Sequence, residues 1–161
     1  MPSIVPTTER VFFDAGLFIG ALMARDPRHQ EARGLVELAR KGSFRACTTT
    51  GVLSEVYAAL TWQGAEPQTS PEVAANSVGL LINPPSAIEV LQEDLASSRL
   101  MLDMVRRHRL TARRVHDARH AAAALCANIR LVYTYDLEDW QRFEADGLHI
   151  AGPASVVPGS R

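Results

Sequence analysis

Cysteine is scarce in this sequence: Cys47 and Cys126 are the only two. They lie far apart, without the short spacings of a thiolate metal centre, and are expected to be small core residues in a reducing compartment. An excess of either charge sign is lacking as well. The net charge of −1 provides no global positive field, so any nucleic-acid site has to be local. No apolar run reaches the roughly 18 residues of a membrane span, and the N-terminus has no charged stretch followed by an apolar one, so a cytoplasmic protein is expected. Glycine-rich phosphate loops are absent, and no second Asp follows Asp14 two places on. A phosphotransferase or phosphatase on a doubly wound fold is therefore left without support. Internal repeats and a second domain are also missing.

What is present is ordinary in bulk and informative in order. The 161 residues, 47% hydrophobic and 22% charged, suit one domain with a real core. Strand and helix signals alternate. Arg10–Asp14, Phe44–Thr48, Ala87–Leu91, Leu131–Tyr135 and Leu148–Ala151 read as strands. Helical periodicity covers Leu17–Ala24, a segment opened by Asp26-Pro27 and closed by Gly42, a stretch from Gly51, Ser70-Pro71 to Ile82, Glu93–His108, a helix capped by Thr111, and Leu137–Glu144. Such alternation predicts a three-layer α/β/α sandwich around a central parallel sheet. Residues 1–153 are expected to form the single domain and 154–161 a flexible tail.

Four carboxylates stand out by position. "VFFDAG" runs three apolar residues into Asp14, and a buried charge there needs either a helix to cap or a positive partner. Glu55 follows the second strand, off the Leu53/Val56/Tyr57/Leu60 stripe. Asp117 opens the helix whose core face includes Val115, Ala118 and Ala122, about 100° off that face. Asp136 follows "LVYT". Each has an ordinary reading: an N-cap for Asp14, a solvated face for Glu55, a favourable helix N-terminus for Asp117, a turn for Asp136. Together they fall at one sheet edge, where four carboxylates repel one another unless a cation joins them. Oxygen-only donors favour Mg²⁺ or Mn²⁺ over Zn²⁺, and such an ion suits phosphate chemistry.

Arginines crowd the segment before and around Asp117. Arg106, Arg107 and Arg109 suit a helix C-terminus, whereas Arg113, Arg114 and Arg119, with His116, flank Asp117 where phosphate contact is plausible. His120, one turn beyond Asp117, is expected chiefly to hydrogen-bond. Trp62 and Trp140 are expected to pack, although an exposed Trp can stack on a base.

The stretches "FFDAGLFIGALMARDPRHQEA", "TTTGVLSEV", "LTARRVHDARHAAAAL" and "LVYTYDLEDWQRFEADGLHIAGP" resemble PIN-domain proteins of the VapC toxin type, over nearly the whole chain from Val11 to Pro153. "RVHDARHAAAAL" and the T-x-D…D-W segment are the most specific pieces. The resemblance implies a PIN-like fold and a Mg²⁺- or Mn²⁺-dependent endoribonuclease, the toxin of a type II toxin–antitoxin pair. It assigns catalytic and metal-binding roles to Asp14, Asp117, Asp136 and Glu55, the last directly or through water. It also assigns supporting roles to Thr134 and Asp139, with Trp140 in place of the family's Phe. The implied partners are RNA, tRNA among the candidates, a VapB-like antitoxin and a second copy of the chain. One departure is visible: Ala15 and Gly16 stand where the family commonly carries small polar residues that support the first Asp or a metal-bound water. The alternative is a PIN-like module that binds RNA or protein without cutting.

Overall fold

The computed structural model describes residues 8–156. Its strands are β1 (Arg10–Phe13), β2 (Arg45–Thr49), β3 (Glu89–Leu91), β4 (Leu131–Tyr133) and β5 (His149–Ala151). Between them run α1 (Ala15–Leu22), α2 (His29–Arg40), α3 (Thr50–Thr61), α4 (Pro71–Ile82), α5 (Leu95–Arg107), α6 (Arg114–Cys126) and α7 (Leu137–Trp140), with a 3₁₀ turn over Gln141–Asp146. The five strands lie in the order β3-β2-β1-β4-β5, and every pairing is parallel.

This order fixes the layers. The chain moves from β1 through β2 to β3 in one direction, then returns across β1 to reach β4 and β5. Right-handed crossovers put α1–α4 on one face and α5–α7 on the other, and the observed packing of α1 on α2 and α3, of α3 on α4, and of α5 on α6 agrees. The expected α/β/α sandwich is therefore the architecture. β1 is central and buried on both sides, which is why "VFF" is apolar without alternation. Phe13 meets Phe18 and Phe44 on the first face, while Phe12 meets His120 and Trp140 on the second. On α6, Ala121–Ala124 are all buried; side chains this small let the helix sit between the sheet and α5.

Several local expectations need correction. The segment Asp26-Pro27 is a turn before α2 rather than its first residues, because the Asp26 carboxylate accepts from the Arg28 amide at 2.7 Å. Thr111 does not cap α6. Its carbonyl accepts from the Arg114 amide, Ala112 takes a left-handed φ of 49°, and the helix begins only at Arg114. Cys47 is buried but Cys126 is exposed at the end of α6, and Trp62 is 66% exposed rather than packed. At the C-terminal end, residues 154–156 form a turn in which Ser155 donates to Glu31 of α2 through both its hydroxyl (2.6 Å) and its amide (3.2 Å). The remainder of the expected tail lies outside the described residues. Among those residues, no helix is long and apolar enough to cross a membrane.

Candidate metal and nucleic-acid site

β1 and β4 are neighbours whose connections leave in opposite directions, so a crevice opens outside their carboxyl ends. Asp14 sits there. Its amide continues the ladder by donating to the Tyr133 carbonyl (3.1 Å). Its carboxylate does both things that "VFFDAG" allowed. Oδ1 caps α1 by accepting from the Ala15 amide (2.8 Å), and Oδ2 accepts from the Thr134 hydroxyl (2.8 Å) and the Trp140 indole N–H (3.2 Å). Burial pushes its pKa up, and the Thr134 hydrogen bond, His120 and the Ala15 amide oppose the rise without cancelling it. Thr134 also accepts from the Asp136 amide (3.0 Å), so one hydroxyl ties the first and last acidic positions together.

Glu55 projects from α3 toward α6, where His120 Nε2 meets its Oε1 at 2.7 Å. His120 is fully buried, and its Nδ1 lies 3.1 Å from the Thr49 hydroxyl, which caps α3 by accepting from the Val52 amide. That oxygen thus meets both the Val52 amide and Nδ1, and with Nε2 on Glu55 both ring nitrogens of His120 are partnered. Gly51 makes the approach possible: a Cβ there would stand 2.9 Å from His120 Cε1 and 2.9 Å from Arg119 Cζ. Thr49 was not visible as a functional position in the sequence; only a hydroxyl residue at a strand-to-helix junction hinted at it.

Asp117 completes the approach from α6. Its pKa is pushed up to about 7, first by burial, then by the Asp14 charge, with Asp136 and Glu55 adding to it and His120 opposing. Asp136, exposed, caps α7. Asp14, Glu55, Asp117 and Asp136 line one cavity of about 410 Å³, together with Gly16, Arg28 and Tyr135 among others. Burial first and the neighbouring carboxylates second hold Asp117 this high, as in a carboxylate cluster short of positive charge, and its oxygen donors suit Mg²⁺ or Mn²⁺. Among the described residues, no three such groups are already arranged to hold an ion; Glu55 is turned onto His120 instead.

Beside this cavity lies a second groove of about 790 Å³, sharing Glu55 and Asp117 and lined further by Arg113, Arg114, His116 and Asp139. Asp139, in the same groove, pairs with Arg114 and Arg142, each at 3.2 Å. Arg119 is not part of the groove lining. It is held by Glu93 through a 2.6 Å ion pair. Sequence reasoning missed Arg28, which reaches the cavity from the α1–α2 turn with its guanidinium over the Tyr135 ring, 4.6 Å from the centroid. No local sequence signal marked it.

The fold and the crevice together define an α/β protein with the PIN-domain architecture of the VapC and FitB toxins. Among solved structures, the chain is similar to a sarcin–ricin-loop-cleaving toxin, VapC20 of Mycobacterium tuberculosis, with 19% identity and a TM-score of 0.60, covering 86% of this chain and 96% of that one. It is similar to VapBC2 of Rickettsia felis, solved on a DNA fragment from its promoter, with 14% identity and a TM-score of 0.59 over 89% and 98% of the two chains. A toxin–antitoxin complex from Klebsiella pneumoniae gives 14% identity and a TM-score of 0.55 over 81% and 89%. No protein-family profile and no curated protein sequence matches the chain.

Proposed function

We propose that the protein is a Mg²⁺- or Mn²⁺-dependent endoribonuclease and the toxin of a type II toxin–antitoxin pair. The observation that carries this reading is the convergence of Asp14, Glu55, Asp117 and Asp136 on one cavity beside a groove bearing Arg113, Arg114 and His116. A bound divalent ion supplies Lewis acidity for attack of water on a phosphodiester. The chain's own residues do the rest. Asp14, Asp117 and Asp136 are the carboxylates that would hold the ion, with Glu55 directly or through water. Thr134 and Trp140 fix one Asp14 oxygen and the Ala15 amide the other, while His120 fixes one Glu55 oxygen, so both side chains are held in place at the cavity. Arg113, with Arg114 behind its pairing to Asp139, offers backbone contacts to the RNA strand on the groove side.

In this reading the protein acts in the cytoplasm as a homodimer and is silenced by a VapB-like antitoxin. tRNA is among the candidate substrates. The second reading, a PIN-like module that binds without cutting, is favoured by one feature: Ala15 and Gly16 bring no polar side chain to the Asp14 end of the cavity. Cleavage of total RNA and of tRNA in Mn²⁺ separates the two. The nuclease reading expects cutting by wild type, its abolition by EDTA, and loss in Asp14→Ala and Asp117→Ala. Wild type that binds RNA and leaves it intact supports the module instead.

A further inference from the structure

We infer that the Arg28 guanidinium, held over the Tyr135 ring at the rim of the carboxylate cavity, is a contact for a phosphate of the RNA strand. The inference rests on the nucleic-acid reading above and adds a residue to it.

Arg28 lines the same cavity as Asp14, Glu55, Asp117 and Asp136, yet among the described residues it makes no ion pair with any of them. What holds it is the Tyr135 ring, whose face attracts the guanidinium. That ring is fixed in turn: the Tyr135 hydroxyl donates to Glu31 Oε1 at 2.9 Å, and the same oxygen accepts from the Ser155 hydroxyl at 2.6 Å. The platform is therefore built from α2, the second residue after β4 and the turn after β5. Gly16 lies against it on the cavity side, and even a Cβ there would stand 3.7 Å from Tyr135. No side chain at position 16 intervenes between the platform and the Asp14 end of the cavity.

A guanidinium held over an aromatic ring, with none of the cavity's carboxylates as an ion-pair partner, has its fork of N–H donors for phosphate oxygens. Metal-free, the carboxylates give this cation no reason to be excluded. Once a divalent ion neutralises much of their charge, the remaining unpaired cation at the rim favours an anion. A phosphodiester passing from the arginine-lined groove across Asp117 meets Arg28 on the far side of the cavity. The Arg113 and Arg28 sides then bracket the carboxylates, one on each flank of the bond to be cut.

The test measures binding of a short fluorescein-labelled single-stranded RNA in Mn²⁺ by anisotropy across a KCl series. Wild type and the Asp117→Asn protein, in which turnover is blocked, are compared with Arg28→Ala placed in the Asp117→Asn background. Loss of one phosphate contact is expected to weaken binding by about tenfold at low salt and to make the log–log salt dependence shallower by about 0.7. Arg28→Lys, which keeps the charge without the fork, is expected to retain the salt slope. In parallel, Arg28→Ala alone is expected to bind Mn²⁺ several-fold more tightly by calorimetry, since one positive charge leaves the cavity. A merely structural role would weaken both ligands together. An unchanged salt slope with RNA binding intact overturns this inference alone. Absence of RNA binding by wild type overturns the nucleic-acid reading and this inference with it.

Discussion

Asp117 carries the clearest pH consequence in the molecule. Its pKa of about 7 in the fold, against an ordinary 3.8, means that the folded state holds a proton that the unfolded chain releases. The metal-free protein is therefore expected to lose stability as pH rises from the ordinary carboxylate value through about 7, with buried Asp14 acting in the same direction. Thermal melts in EDTA check this, and Mn²⁺ is expected to reverse the trend by stabilising the ionised carboxylates. Asp14 makes a second expectation at this scale. Trp140→Phe keeps the packing against Phe12 and Phe143 but removes the N–H donated to Asp14. Denaturant unfolding should register a loss of about 1–3 kcal/mol, the usual result of withdrawing a hydrogen bond from a buried carboxylate. The sequence made Asp14 conspicuous because a charge interrupts an apolar strand. It could not show the indole that satisfies the charge, since Trp140 lies 126 positions away and reads locally as a packing residue.

At the scale of elements, the Thr49–His120–Glu55 chain ties the N-cap and second turn of α3 to the middle of α6. His120→Gln retains an N–H at the place of Nε2, whereas His120→Asn offers one only near Nδ1. Mn²⁺ affinity and turnover are expected to survive better in His120→Gln, and a thermal midpoint measured alongside separates positioning from simple destabilisation. Equal loss of metal affinity in both variants would deny His120 a positioning role. Helix identity was legible here because the 3.6-residue periodicity and the Ser70 cap act locally, whereas the caps Thr49 and Asp94 emerge only in the structure. The start of α6 was not legible. A left-handed Ala112 redirects the chain after Thr111, and alanine gives no sequence sign of that conformation. Arg119 shows the same limit, since its pairing with Glu93 depends on α6 meeting the end of β3.

For the whole molecule, alternation of strand and helix made the parallel α/β sandwich legible, and right-handed crossovers account for the two helical layers once the strand order is known. The order β3-β2-β1-β4-β5 was not written in any local pattern. It is what puts the ends of β1 and β4 side by side and turns scattered carboxylates into a cavity. Partial occupancy of that logic by cations is also a whole-molecule property: Arg113, Arg114 and His116 on one flank, Arg28 on the other, within a chain of net charge −1. In cells, expression of wild type is expected to arrest growth and Asp117→Ala to relieve the arrest at equal protein level, as colony counts and immunoblots would record.

The central claim is that the four carboxylates form a divalent-cation site. Calorimetric titration of Mn²⁺ into wild type, Asp117→Asn and Asp136→Asn tests it most directly. The account expects saturable binding by wild type and affinity reduced at least roughly tenfold in each variant, as loss of an ionised oxygen ligand implies. Wild type that binds no Mn²⁺, or variants that bind it as tightly as wild type does, would contradict the account.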